Sequence, residues 1–386
     1  METAILTAIQ ALGEQSRRLL PDALSPLAGL AQRIAQWLCG PILDKGGRFP
    51  WWGLLSGLIL AAAVYALDRR RANGGFLRFC FPPEIYRSAS TWMDLKLSFF
   101  NYVLFGGGAL NLTWRINAAL LAAWITTALA AWFGPSAHPA AWGPLSILLF
   151  AIASSLVNDL GYFLFHWASH VCPPLWAIHK LHHSAECMTP LTAARVHPLE
   201  RPILGPFRAV TSGALMGPIY YLYGGETSFP TILGIDLMTA FAFAIGHLLQ
   251  HSHIWLYFGP VLGRIVVSPA QHQIHHSCLP QHLDKNFAEH WAIWDTIFGT
   301  IYLPKGREPL KFGLAGYDRQ PHDTVLKSWF VPVAEAGMAT VHLGWRCLPG
   351  WGLGRWNRRV VAPDPTRALP LDPTRVSAPG PRSVGG

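Results

Sequence analysis

Residues 158–184 read NDLGYFLFHWASHVCPPLWAIHKLHHS and contain five histidines at regular intervals. His166 and His170 are four residues apart, and His179, His182 and His183 follow at intervals of three and one. The same order recurs further along the chain, first as His247 and His251 and then as His272, His275 and His276. Residues three or four apart share one face of a helix. We therefore predict that these four groups converge on one nitrogen-lined site.

Ten imidazoles are more than one tetrahedral ion can bind, so the spacing predicts a centre with two metal ions. Neutral imidazole suits iron, zinc and copper, whereas magnesium and calcium prefer oxygen ligands. The isolated histidines His138, His322 and His342 lack this spacing, and we interpret them as hydrogen-bonded structural residues.

The composition favours an integral membrane protein. Hydrophobic residues make up 51% of the 386-residue chain and charged residues only 13%, whereas soluble domains are about a quarter charged. The net charge of +9 suits the anionic surface of a bilayer, and no nucleic-acid-binding motif is present. The six cysteines form no CxxC motif, so we interpret them as reduced thiols.

Five apolar stretches predict an all-α, polytopic membrane bundle. They are residues 51–67, 117–133, 144–165, 203–223 and 229–250, each near the length of about 20 residues that crosses a bilayer. Residues 96–110 are apolar but end in a glycine run, which predicts a re-entrant or interfacial helix.

Charge bias predicts the orientation of the bundle. Residues 68–71 read DRRR, while the loops 134–142 and 224–228 contain neither lysine nor arginine. Cytoplasmic loops are enriched in these basic residues. We therefore expect the histidine-rich metal site to face the cytoplasm, with the protein in a bacterial inner membrane.

The predicted organisation is one membrane domain with extensions at both ends. The segments are an amphipathic interfacial segment (1–50), a first span with a basic loop (51–94), the metal-containing membrane domain (95–305), a tryptophan- and arginine-rich membrane-surface segment (306–362) and a disordered tail (363–386).

Two other classes of function use membrane histidines. A divalent-metal transporter would carry them inside its spans together with Asp or Glu, whereas here they lie at span ends. A b-type cytochrome needs only paired axial histidines, which would leave most of these ten unused. Both patterns fit less well than an enzyme with a two-metal centre.

Four motifs together resemble the signatures of the fatty acid hydroxylase/sterol desaturase superfamily of membrane di-iron enzymes. They are DLGYFLFHWASH (159–170), HKLHHS (179–184), SPAQHQIHH (268–276) and NFAEHWAIWDTIFGT (286–300). The resemblance covers residues 95–305. It implies that the metal ligands and catalytic residues include His166, His170, His179, His182, His183, His251, His272, His275 and His276, with His247 in the more variable third group.

The resemblance also implies two iron ions, dioxygen as co-substrate, a lipid substrate drawn from the bilayer and an external electron-donor protein. Hydroxylation of a fatty acyl, sterol or related lipid is the expected reaction, and desaturation by the same centre is the alternative. The residues do not identify the lipid.

Polar residues near the motifs are candidates for orienting the ligand imidazoles. Asp159 lies seven residues before His166 on the same helical face, and a carboxylate near a span end is costly without a role. Asn286, Asp295 and Glu186 are further candidates. By the resemblance, His197 is a further orienting or structural residue. His253 and His290 are possible additional ligands.

Overall fold

The computed structural model describes residues 25–43, 50–67, 75–105, 109–136, 143–223, 231–232, 235–317 and 320–346. Within these ranges nearly all of the regular secondary structure is helical, which confirms the all-α prediction. The only strands described are an antiparallel pair of two residues each, Thr231–Ile232 and Ile235–Asp236.

The α-helices follow one another along the chain. They are α1 Ser25–Leu43, α2 Trp51–Leu67, α3 Gly75–Cys80, α4 Pro83–Tyr86, α5 Ala89–Phe105, α6 Ala109–Phe133, α7 Pro144–Val171, α8 Pro173–His183, α9 Glu200–Leu222, α10 Leu237–Ala244, α11 His247–Gln250, α12 Gly259–Leu262, α13 Pro269–His275, α14 Ile293–Phe298 and α15 Val325–Arg346. Short 3₁₀ helices lie at Pro190–Ala194 and Pro280–His282.

Helix α7 is the longest of the described helices. It begins after Gly143, whose backbone N–H donates to the Ser146 hydroxyl at 2.9 Å, and runs 28 residues to Val171. It therefore extends six residues beyond the predicted span 144–165 and carries both His166 and His170. Cys172 is extended, as expected before a proline. This break turns the chain into α8 and brings the next three histidines back beside the end of α7.

Glycines allow α9 to approach its neighbours closely. A Cβ atom on Gly161 of α7 would lie 2.8 Å from Arg208 Cα. A Cβ atom on Gly217 of α9 would lie 2.5 Å from the Ile125 Cβ of α6. Small residues at such crossings let helix backbones pack tightly, as is common in membrane bundles. These contacts fix α9 and its N-terminal residue Glu200 relative to α7.

A buried ion pair anchors the segment that follows α8. The Arg195 Nε donates to Asp94 Oδ1 of α5, and the Thr192 hydroxyl donates to the other carboxylate oxygen of Asp94 at 2.7 Å. The Arg195 guanidinium also donates to the Ser184 hydroxyl at 3.1 Å and to the Ser90 carbonyl at 2.8 Å. Both charges are therefore hydrogen-bonded, as burial requires.

The predicted set of spans needs correction. Residues 229–250 do not form one helix, because the short strand pair precedes α10 and Gly246 adopts a left-handed conformation, φ +93°. The described residues of the range 96–110 are divided between two helices. Most of them belong to α5, and α6 begins at Ala109. Prolines 206 and 218 lie inside α9.

Among the described residues, only α7 has the length and apolar composition to cross a membrane. Helix α2 and the Ala118–Phe133 part of α6 are shorter apolar helices. The amphipathic pattern at residues 5–12 and the tail 363–386 lie outside the described residues, as does His138. Of the predicted membrane-surface segment 306–362, most of residues 306–346 is described, and α15 is its one α-helix.

We expect Gly161→Leu and Gly217→Leu to destabilise the protein. Each new side chain would meet backbone or the root of a side chain, and overpacking of this kind costs about 1–3 kcal/mol. Gly337→Ala on α15 is the matched control, because nothing lies within 4 Å of the added Cβ. The measurement is the thermal unfolding midpoint of detergent-purified protein. Equal midpoints for Gly217→Leu and wild type would contradict the close packing of α6 and α9.

Candidate metal centre

Nine of the ten predicted ligand histidines form two adjacent groups. The first group contains His166, His170, His179, His183 and His275. The second group contains His182, His251, His272 and His276. In each group one nitrogen of every ring lies within 4.8 Å of those of the other members. The groups adjoin, because the His182 and His276 ring centroids are 4.5 Å apart and those of His183 and His276 are 4.7 Å apart.

The Nε2 atoms converge within each group. In the first group, His183 Nε2 lies 3.2 Å from His170 Nε2 and 3.3 Å from His179 Nε2. In the second group, His272 Nε2 lies 3.0 Å from His251 Nε2 and 3.2 Å from His276 Nε2. The Nε2 atoms of His166 and His275 are buried and have no hydrogen-bond partner.

Backbone carbonyls hold three of these rings through Nδ1. His166 Nδ1 lies 2.6 Å from the Phe287 carbonyl oxygen, and His275 Nδ1 lies 2.8 Å from that of Lys285. His182 Nδ1 lies 3.2 Å from the Arg195 carbonyl oxygen. A carbonyl oxygen only accepts, so Nδ1 carries the proton and the Nε2 lone pair is directed toward the group.

Carboxylates hold two further rings in the first group. His179 Nδ1 lies 3.2 Å from Glu200 Oε1, and the glutamate is largely buried at the start of α9. His170 Nδ1 lies 3.4 Å from Asp284 Oδ1, on a side chain that is 68% exposed. Both contacts again orient Nε2 inward. Glu200 is therefore the better shielded of the two partners.

Residues 284–291 supply much of this support and are themselves held by two buried aspartates. Asp295 accepts from the N–H groups of Phe287 and Ala288 at 2.8 and 3.0 Å. Asp159 accepts from the N–H groups of residues 289, 290 and 291 at 2.9–3.2 Å. Asn286 donates to the Gln271 carbonyl at 3.0 Å and accepts from Tyr302 N–H at 2.7 Å.

Asp159, a predicted orienting residue, acts on His166 through the backbone of a loop rather than by direct contact. The Asp159 carboxylate bonds the backbone of residues 289–291, while His166 bonds the nearby Phe287 carbonyl. Asp159 and Asp295 position His166 through this loop. The Asp295 carboxylate accepts from the N–H group of Phe287, and the carbonyl of Phe287 orients the candidate ligand His166.

His247 lies outside both histidine groups, which corrects its assignment to the two-metal set. It lies near Glu289 and His290, and the His247 and His290 ring centroids are 4.9 Å apart. The reason is local geometry. Gly246 is left-handed and α11 has only four residues, so His247 and His251 do not share a regular helical face. Glu289 also pairs with Arg208 at 2.6 Å, which places a cation beside this third cluster.

The remaining histidines have structural contacts. His197 Nε2 lies 2.9 Å from the Trp329 carbonyl oxygen, and its Nδ1 accepts from Leu199 N–H at 3.1 Å. His253 Nε2 lies 2.7 Å from the Phe79 carbonyl oxygen. His322 is buried and belongs to neither group, and both of its ring nitrogens lack a hydrogen-bond partner among the described residues, contrary to the expectation that it is hydrogen-bonded. Glu186, the other polar candidate, donates its backbone N–H to the Ser90 hydroxyl.

The electrostatics of the two groups favour neutral imidazoles. Burial, followed by the neighbouring His182, lowers the pKa of His272 to about 3. Burial and the adjacent histidines also hold the pKa values of His275 and His276 well below the ordinary range. Metal binding requires the deprotonated ring. Converging Nε2 lone pairs, orphaned buried nitrogens and neutral rings together fit a pair of imidazole-bound metal ions.

Sequence reasoning missed the contributions of Glu200, Asp284 and Arg195. Glu200 ends the stretch RVHPLE (195–200), and its carboxylate contacts His179, while the Arg195 carbonyl at the start of the stretch contacts His182. The position of Glu200 as the sole acidic residue of α9 was an available signal. The carbonyls of Arg195, Lys285 and Phe287 left no signal, because every residue has one.

Comparison with known proteins was consistent with this geometry. Residues 150–300 match the fatty acid hydroxylase family, a range that contains all nine grouped histidines. The ornithine lipid hydroxylase OlsE of Rhizobium tropici is 29% identical over 47% of this chain and 50% of its own length. The alkylglycerol monooxygenase of Homo sapiens is 31% identical over 37% of this chain and 28% of its own length.

A further relative is the very-long-chain aldehyde decarbonylase GL1-1 of Oryza sativa subsp. indica, 26% identical over 48% of this chain and 28% of its own length. The chain thus spans half, or less, of the length of these curated relatives. No solved structure matches it. The shared region coincides with the histidine motifs and the segments that orient them, and these similarities support the fatty acid hydroxylase/sterol desaturase superfamily for residues 150–300.

Proposed function

We propose that this protein is a membrane-bound, two-iron lipid hydroxylase that uses dioxygen and electrons from an external donor protein. The observation that carries the proposal is the pair of adjacent imidazole groups at the end of α7, with five and four members. Helix α7 is also the described helix best suited to cross a bilayer. A lipid moving within the membrane could therefore reach the groups from the side.

Bound iron would supply the oxygen activation that attack on an unactivated C–H bond requires, because side chains alone cannot provide it. The protein's own residues would bind and orient the metals. Five rings have their Nδ1 atoms fixed by carbonyl or carboxylate oxygens, so their Nε2 atoms are available as ligands. Buried apolar residues around them, including Phe163 and Phe287, limit the access of water.

The substrate class is proposed from the activities of the relatives. One is named as an ornithine lipid hydroxylase and others as alkylglycerol monooxygenases, so we infer a lipid with a polar headgroup and a long apolar chain. The polytopic arrangement, the cytoplasmic orientation and the bacterial inner membrane are part of the same proposal. They rest on the apolar helices and the distribution of basic residues.

Desaturation is the alternative reaction of the same centre, since the position of the substrate decides between the two products. A transporter is less well supported, because the two histidine groups contain no carboxylate ligand. A b-type cytochrome would use two axial histidines and would leave most of the nine without a role.

Metal content tests the ligand assignment. Protein prepared with iron should contain about two ions per chain, one for each set of imidazole ligands. His275→Ala, in the first group, and His276→Ala, in the second, should each lower the stoichiometry toward about one, because each removes a ligand from one group. His322→Asn is the matched buried control and should retain both ions. The measurement is elemental analysis, and wild-type content in His275→Ala would refute the assignment.

Glu200 and Asp284 provide a paired test of ligand orientation. Glu200→Gln should weaken metal binding by roughly 10–100-fold, the usual effect of losing a partner that orients a ligand histidine. Asp284→Asn should have a smaller effect, because that carboxylate is solvent-exposed and already screened. Competition with a coloured chelator measures the affinities. A larger loss in Asp284→Asn than in Glu200→Gln would contradict the role of the buried carboxylate.

Isotope labelling tests the reaction. Under ¹⁸O₂, with a reductant and bacterial membrane lipids, we expect one labelled oxygen atom in a lipid product, detected by mass spectrometry. A double bond without label would instead support desaturation. His275→Ala should give neither product, whereas His322→Asn should behave like wild type. Metal flux into vesicles without any lipid product would overturn the enzyme proposal.

A further inference from the structure

Two short segments on either side of the histidine motif 268–276 carry an exposed apolar patch. Its members are Val261, Leu262 and Ile265 around α12, and Ile297 and Phe298 of α14. Val261 is 77% exposed and Ile297 is 64% exposed. The Thr296 hydroxyl donates to the Arg264 carbonyl at 3.0 Å, which joins the two segments. Scattered exposed apolar residues are common, but contiguous ones mark a contact surface.

The patch lies alongside the apolar part of α7. The Trp294 indole N–H donates to the Leu156 carbonyl at 3.1 Å, and the Trp291 indole N–H donates to the Ser155 hydroxyl at 2.9 Å. Phe298 stacks on Phe163 with ring centroids 5.0 Å apart. With a rise of about 1.5 Å per residue, Leu156 lies about 15 Å below His166 along the helix. Residues 291–298 therefore lie beside the part of α7 that precedes His166, within the helix proposed to cross the membrane.

The backbone of both segments is hydrogen-bonded within the protein. The N–H groups of residues 263, 264, 265 and 266 donate to carbonyls of residues 259, 261 and 262 at 2.9–3.1 Å. In the second segment, Thr296 N–H donates to Ala292, and Thr300 N–H donates to Asp295, both at 2.9 Å. Backbone exposed to lipid must satisfy its polar groups internally. The N–H groups of residues 263–266, 296 and 300 meet this condition.

The charges of the patch suit a bilayer surface. Within residues 259–265 and 293–300, Arg264 is the only exposed charged residue, because Asp295 is buried. An arginine at the edge of an apolar patch can extend its guanidinium to the lipid headgroups while its neighbours contact acyl chains. An exposed acidic side chain, which would repel anionic lipid, is missing from these two segments.

From depth, backbone pairing and charge, we propose that the patch contacts bilayer lipid, with Ile297 and Phe298 facing the acyl chains beside α7 and Arg264 facing the headgroups. The proposal rests on the membrane location given under Proposed function. It extends the membrane-facing surface from α7 to segments on either side of the histidine motif 268–276. Lipid would thus surround the protein close to the loop 284–291 that supports the metal centre.

Site-specific photocrosslinking tests the proposal in the full chain. A benzophenone amino acid is placed at Ile297 or Val261, in vesicles of phosphatidylethanolamine and phosphatidylglycerol. We expect lipid adducts several-fold above those from Leu283, which is 40% exposed but lies beside the exposed Asp284. Mass spectrometry identifies each adduct. Adducts with a second copy of the chain, or yields equal to that of Leu283, would overturn the proposal.

A probe at Leu149, an exposed residue of α7, separates this proposal from the membrane location itself. Lipid adducts at Leu149 but not at Ile297 would refute the patch while leaving α7 in the membrane. Absence of lipid adducts at both positions would refute the patch and the proposed membrane location together. Metal content of each labelled variant, measured in parallel, confirms that the probe has not unfolded the protein.

Discussion

The hydrogen bonds from His166 and His275 to the backbone carbonyls of residues 287 and 285 are the interactions on which the rest of the centre depends. Each fixes a proton on Nδ1 and leaves the Nε2 lone pair facing the interior of the first group. Without them, buried imidazoles packed edge to face would be free to rotate or flip. The two carbonyls lie two residues apart, so one loop orients ligands from α7 and α13 simultaneously.

That loop would not keep its shape alone. Asp284 and Asn286 both have φ near +56°, a conformation that non-glycine residues rarely adopt. The surrounding bonds compensate: Asp159 from α7 and Asp295 from α14 accept five backbone N–H bonds between them, and Asn286 bridges residues 271 and 302. Helix α7 therefore contributes both two candidate ligands and a carboxylate that stabilises the loop holding one of them.

Other packed segments also orient candidate ligands. The Asp94–Arg195 pair fixes the segment after α8, and the carbonyl of Arg195 orients His182. Helix α9, packed on α6 and α7 through glycines, carries Glu200 to His179. Helix packing and ligand orientation are thus coupled. The packed helix α9 begins with Glu200, which orients His179, and the anchored segment after α8 contains Arg195, whose carbonyl orients His182. Rigid support of this kind is what a metal centre requires if its geometry is to be set before metal binds.

The sequence by itself predicted the helical class and a cluster of ten histidines, nine of which group together in the structure, because spacing of three and four residues is a property of the helix alone. It also predicted α7 with its two histidines. Tertiary structure alone decided the separation of His247, since a left-handed glycine breaks the helix that its spacing predicts. It also decided the partners of the Nδ1 atoms. A carbonyl can orient a ring wherever the fold brings it, and no residue type at positions 195, 285 or 287 records that proximity.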